Sequence, residues 1–470
     1  MVATDVGNKA GILPQPPSDL SVTPAGSAGH APIVSRRAVL RSVLGAAPLL
    51  LTGSLGCNAP QSVGGKKRVQ IRYMAWGNPE QIALERQIAA EFEKLNPHIH
   101  VHFFMVPGSS YADKLQLMLA SRTAPDVMRA DRYYFPALAR KEYFYPLDPL
   151  VAREKPGFLD DFLPLVLDEG RWQGKLFGLN VLFGSVMVYY NKKLFAAAGL
   201  ADPYQLYKQG RWDWETFVQN ATALTERTNG RTTQYGANMV TFPMNASVIW
   251  NHGGDFLNRE MTRMTIAEDE GAIRGFQEYA DLRWKHKCVP TPSDNALSQY
   301  TFESGKIAMN WGWAGDSPRY RKNIKAFDWD IVPTPSGPAG DATVIKGNQL
   351  AMYRDTRHPE ESWEFMKFMT GPDVELLLGG KLRRTVPTRL SVRNDPRYLE
   401  ADQAPFHTDV FLESVRRGRT LPIDWRYQEW TQEFTAATES LFNIGTETAR
   451  QAMTEATRRV NNVLSSEEGF

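Results

Sequence analysis

The run from residue 68 to 132 constrains the fold more than any other stretch of the chain. "RVQIRYMAW" (68–76) alternates apolar and polar residues as a half-buried strand does, then gives out into the turn "GNPE". Ile82, Ala83, Ile88, Ala89, Phe92 and Leu95 recur at helical spacing until Asn96–Pro97 stops them. "HIHVHFFMVP" repeats the strand, "YADKLQLMLASR" the helix, and "PDVMRAD" begins a third strand. This order predicts βαβ units on a largely parallel sheet, the mark of an α/β fold. In such sheets ligands sit beyond the carboxyl ends of the strands. Trp76, Gly77, Asn78, Asp131 and Arg132 stand there and are candidate cleft residues. Each also has a plain structural role open to it: core packing for Trp76, helix capping for Asn78, an ion pair for Asp131 and Arg132.

Farther along, 174–200 holds two strand-like runs feeding a short helix, and 211–227 is an amphipathic helix whose start is marked by Asp213. Helical patterns also cover 268–285, 359–370, 373–379 and 429–464, with Pro/Gly or polar breaks at 331–343 and 384–396. A chain of 470 residues allows two or three domains. Lys plus Arg is 54 against 52 for Asp plus Glu, so no basic excess points to nucleic acid.

The N-terminal part reads as an address. Residues 1–34 are rich in Pro, Gly, Ser and Ala and lack the apolar content of a packed segment. "SRRAVLRSVLGAAPLLLTGSLGC" (35–57) then carries the basic and apolar regions of an export signal, too short and interrupted for a membrane span. Arg36–Arg37 resembles the twin-arginine type. "SLGC" resembles a bacterial lipobox, with Ser54 where Leu is usual, and makes Cys57 a lipidation site; residues 58–68 would be a tether. The other cysteine, Cys288, has no disulfide partner if Cys57 is lipidated, and it reads as a structural thiol.

No catalytic pattern stands out. G-x-S-x-G, H-E-x-x-H, a P-loop and a dinucleotide-binding glycine motif are all missing, and no cofactor is implied. His98, His100 and His102 share a strand face, but same-face neighbours about 6–7 Å apart do not converge on one ion. No metal is expected there.

Several strings, in order along the exported chain, resemble the extracellular solute-binding proteins of carbohydrate ABC transporters, the maltose-binding-like family. They are "APDVM" (124–128), "VYYNKKLFAAAGL" (188–200), "WNHGGDFLN" (250–258), "FESGKIAMNWGWAG" (302–315), "HPEESWEFMKFMTG" (358–371) and "VPTR" (386–389). The resemblance implies two α/β lobes, each a mostly parallel sheet flanked by helices, closing on a ligand about hinge crossings. The crossings would lie near 180–185, 343–348 and 383–388. That gives an N-terminal lobe of 69–182 plus 345–385 and a C-terminal lobe of 183–344 plus 386–470.

It further implies a monomeric, non-enzymatic receptor that hands a sugar to an ABC permease from the periplasm or the outer membrane face, anchored at Cys57. A sugar presents hydroxyls at its rim and C–H bonds on its face, so aromatic rings and amide or charged groups should line its site. By resemblance, Tyr111 falls at the cleft rim, Asp131 and Arg132 match a sugar-contacting pair, and Asn251 and Gly253 match a turn beside the cleft. Trp313 matches the ring that stacks on sugar, while Trp250 and Trp311 are divided between core and cleft. Arg384, near a crossing, and Trp425, in "PIDWRYQEW", complete the candidates. The rivals are a secreted glycoside hydrolase, which needs two carboxylates at catalytic separation, a twin-arginine-exported cofactor enzyme, and a receptor for a non-sugar solute such as a glycerophosphodiester or a polyamine.

Overall fold

The computed structural model describes residues 68–296 and 299–466; the export segment and Cys57 fall outside the described residues. β1 (Val69–Ala75) pairs in parallel with β2 (Ile99–Met105) on one side and with β3 (Val127–Asp131) on the other. The connections are α1 (Pro79–Leu95) and α2 (Gly108–Ala120). The two-residue period sorts β1's side chains between them. Ile71, Tyr73 and Ala75 pack with Ile88, Ala89 and Phe92 of α1, whereas Met74 packs with Tyr111, Leu115 and Leu119 of α2. The two helices therefore cover opposite faces.

A short hairpin, β4 (Arg171–Trp172) and β5 (Lys175–Leu176), precedes β6 (Gly178–Asn191). β6 is one strand of 14 residues where the sequence suggests two runs; Gly184 interrupts the apolar pattern without breaking the backbone. Then come β7 (Glu226–Thr228), β8 (Arg231–Ala237), β9 (Ile307–Trp313), β10 (Trp329–Val332), β11 (Thr343–Met352) and β12 (Gly418–Arg419). They join one sheet ordered β2-β1-β3-β11-β6-β9-β8-β7, with β10 beside β6 and β12 beside β11.

The α/β class holds, but the expected pair of mostly parallel sheets is corrected to a single mixed one. β11 runs antiparallel to both β3 and β6, and β6 runs antiparallel to β9. The βαβ pattern of 68–131 governs only its own strands; β6 and β11 are long enough to belong to both halves. Two apolar clusters flank the part built on β1, and a third, reaching from Leu163 to Leu464, fills the rest.

Where β6 passes from one part to the other, three chain segments lie side by side. Phe183 donates its N–H to the Thr385 hydroxyl (2.7 Å) and accepts from Val386 N–H (2.8 Å). On its other edge Gly347 pairs with Phe183 and Lys346 with Gly184. A Cβ on Gly347 would sit 1.6 Å from Asn180 Oδ1, so this strand position admits only glycine.

The helix expected over 429–464 is two, Tyr427–Glu439 and Ala449–Ser465, parted by a wide turn that ends at Gly445 with φ +78°. Asp213 caps the helix Trp214–Ala223 through Thr216 N–H (2.8 Å). Cys288 is fully buried, and burial pushes its thiol up to about 12, an inert state. His100 bonds Glu93 (3.0 Å), and among the described residues no set of side chains is grouped to hold a metal ion. No described helix is long and apolar enough to cross a membrane.

Candidate functional site

Beside the crossing lies a cavity of about 310 Å³. It is lined by Trp76 and Gln81 after β1, Arg129 and Asp131 of β3, Gly184 of β6, Trp313 at the end of β9 and Gly315 beyond it, Lys346 and Asn348 of β11, and Arg384. Four candidates from the sequence therefore meet here: Trp76, Asp131, Trp313 and Arg384.

The first wall is held by buried charge. Glu85 of α1 sits on that helix's apolar stripe with Ile88, Ala89 and Phe92 and is 4% exposed. It accepts from Arg129 in a close ion pair and from the Tyr73 hydroxyl at 3.1 Å. Arg129 also donates to the Trp76 carbonyl (3.0 Å), and its guanidinium lies 5.2 Å from the Trp76 ring. Burial would raise the Glu85 carboxyl, but Arg129 and then Arg384 outweigh it and hold the group below the usual carboxylate range. Lys346 and Asp131 form a second pair at 2.6 Å. The Lys346 ammonium lies 4.0 Å from the Tyr133 ring centre and 5.6 Å from that of Trp313.

The second wall is ring and backbone. Trp313 is half-buried; its backbone N–H donates to the Asp316 carboxylate (3.0 Å), and its ring lies where a Cβ on Gly184 would come within 3.4 Å of it. Tyr133 and Tyr427 stack nearly parallel, 5.2 Å apart, tying the end of β3 to the helix that begins at residue 427. A second hollow of about 400 Å³ is lined by Arg132, Trp172, Trp425 and Arg426 among others. The guanidinium groups of Arg140 and Arg426 lie 3.6 Å and 4.7 Å from the Trp425 ring centre.

The remaining candidates lie off this lining, some buried and some in exposed caps and turns. Tyr111 is 1% exposed and lies beneath Trp76 (4.7 Å), its hydroxyl donating to the Met74 and Arg129 carbonyls; it supports the wall without lining it. Trp311 is 3% exposed, edge-on to Phe217, its backbone paired with the Asn238 amide. Trp250 is buried against Phe256 and under Arg419. Asn251 holds the segment that leads into β11, bonding Pro335 and Ala342, and Gly253 makes the neighbouring turn at φ +88°. Asn78 is a cap: its side chain accepts from Gln81 N–H (2.9 Å), and Gln81 Oε1 accepts from Asn78 N–H (3.0 Å). Arg132 and Trp425 line the second hollow.

Gln81, Glu85, Arg129, Lys346 and Asn348 escape the sequence reading. The signals were a carboxylate on an apolar helix stripe and single cations inside the strand runs "DVMRAD" and "TVIKGNQLAM". Neither carboxylate is free for acid–base work, since Glu85 is buried against two arginines and Asp131 is paired with Lys346.

A solute-sized cavity at strand ends, walled by two halves of one crossing sheet, defines a solute-binding protein. The model of the bacterial extracellular solute-binding protein family matches residues 77–375, more than half of the chain, and the chain belongs to that family. A putative binding protein of Brucella abortus is 25% identical over 61% of this chain and 68% of its own length. The multiple sugar-binding protein of Streptococcus mutans is 22% identical over 86% of this chain and 92% of its own. Among solved structures, an ABC substrate-binding protein of Listeria monocytogenes in complex with cycloalternan superposes with a TM-score of 0.75. It is 22% identical and covers 84% of this chain and 98% of its own. That likeness establishes the two-lobed fold. The family and these neighbours are binding proteins.

Proposed function

We propose that the protein is an exported receptor that captures a mono- or oligosaccharide by closure of two lobes and delivers it to an ABC importer. The observation that carries this is the cavity itself, with Trp76 and Trp313 supplying apolar rings and Gln81, Asn348 and charged groups supplying partners for hydroxyls. The names of relatives support it: one is a multiple sugar-binding protein, and one structural neighbour holds cycloalternan. The lobes would be 69–182 plus 345–385 and 183–344 plus 386–470, parting at the three-segment crossing where Phe183 meets Gly347 on one edge and Thr385 and Val386 on the other. The receptor would act as a monomer, tethered by lipid on Cys57; a relative from Streptomyces antibioticus named as a lipoprotein supports that anchor.

Melting shifts of the purified chain against a panel of carbohydrates test the reading. A sugar that raises the melting temperature of the wild type, but not of Trp313→Ala, is the expected result. No shift with any sugar would overturn it.

A further inference from the structure

The charges around the cavity do not balance. Arg129 is in close contact with Glu85, and Lys346 lies 2.6 Å from Asp131, which leaves Arg384. Its Nη1 stands 3.6 Å from the Glu85 oxygen that Arg129 already engages, beyond hydrogen-bond reach, and that nitrogen is buried with no hydrogen-bond partner. Arg384 is 8% exposed and lines the cavity. Two buried arginines thus share the single Glu85 carboxylate, which leaves the pair one counter-charge short, a costly arrangement unless something else supplies one.

We infer that the solute carries an anionic group, a carboxylate or a phosphate, which seats against Arg384 and completes the charge of the cavity. This rests on the carbohydrate reading above and narrows it to acidic sugars and sugar phosphates. The planar fork of an arginine suits the two oxygens of either group. Burial, and then the like charge of Arg129, push the Arg384 guanidinium down to about 10, the direction an incoming anion reverses. Asn348, whose Oδ1 is buried and unbonded, lies on the same lining and accepts a hydroxyl of the ring that bears the anion. A cation such as a polyamine would meet the wrong sign.

The test is calorimetric titration of the purified chain with matched pairs: galactose and galacturonate, glucose and glucose 6-phosphate, with maltose and glycerol 3-phosphate added. The acidic member of at least one pair is expected to bind about tenfold or more tighter than its neutral partner. Which pair responds tells carboxylate from phosphate. Arg384→Gln should bring the two members to parity, and Arg384→Lys should retain part of the preference; should the glutamine variant not fold, the wild-type panel and the lysine variant decide. Neutral sugars binding as tightly as their acidic partners would overturn the inference and leave the carbohydrate reading standing. Binding of glycerol 3-phosphate with no sugar bound would do the reverse, and no binding by any compound would overturn both.

Discussion

The two walls of the cavity each present a tryptophan, and they hold it by different means. Trp76 rests on Tyr111 and on the guanidinium of Arg129, which is fixed by Glu85 and Tyr73. Trp313 is held through its main chain, whose N–H donates to the Asp316 carboxylate, and its ring lies against Gly184. A wall built from buried charge is rigid only while every charge has its partner, because an orphaned one costs several kcal/mol. A wall built from a ring on glycine keeps its shape when the ring is removed. Stability and affinity should therefore separate across the cavity.

Substitutions can break or sharpen that contrast. The largest effects should come from buried supports. Glu85→Ala leaves Arg129 and Arg384 facing each other without a carboxylate, and urea unfolding should show a loss of about 3–5 kcal/mol. Trp311→Ala, two residues from Trp313 but in the core, should cost about 3–5 kcal/mol by the same measurement. Trp313→Ala should instead leave unfolding nearly unchanged and weaken binding of the responding sugar about 10- to 100-fold. A Trp313→Ala protein as unstable as Trp311→Ala would erase the distinction between the walls.

A subtler effect is a pH dependence seated at the crossing. Burial pushes the Glu169 carboxyl up to about 7, against the favourable charge of Arg132 and a long hydrogen bond from Asn180. Since its folded pKa lies above the unfolded one, its contribution to stability is complete at acid pH and is lost as pH rises from about 4.5 through about 7. Glu375, buried beside Thr388, is also raised to about 7 and acts in the same direction. Unfolding free energies measured across that window should fall less steeply in Glu169→Gln than in the wild type; an unchanged slope would assign the effect to Glu375. The smallest change is Asn78→Ala, which removes a capping box for about 1 kcal/mol. Sugar affinity should stay level, because Asn78 caps the helix while its neighbour Gln81 lines the cavity.

The contrast between walls also explains what could be read from sequence. Alternation and helical spacing announced β1, α1, β2, α2 and β3 because those elements are sorted by burial alone. That Trp76 and Asp131 stand beside the cavity was legible because strand ends are where such sheets bind, whereas Trp313 came only from the family resemblance. Tyr111, set at the cleft rim by resemblance, and Trp311, divided between core and cleft, pose a shared difficulty: an aromatic ring suits a core and a sugar face equally, and only its neighbours decide. Glu85, Arg129 and Lys346 stayed hidden because the pairing that makes a buried charge tolerable joins residues far apart in the chain. The antiparallel run of β11 was equally invisible, since a strand's own pattern is silent about its partner's direction.

That strand bears on how the chain is made. β3 is complete at Asp131 and β6 at Asn191, but the strand that pairs with both begins only at Thr343. Until then the facing edges of β3 and β6 carry unpaired backbone groups, open to the wrong neighbour. The N-terminal stretch cannot finish folding ahead of the rest during synthesis, and neither half should be recoverable as a separately expressed fragment. Long-range closure of this kind is slow, so the last strand to form sets when the sheet locks.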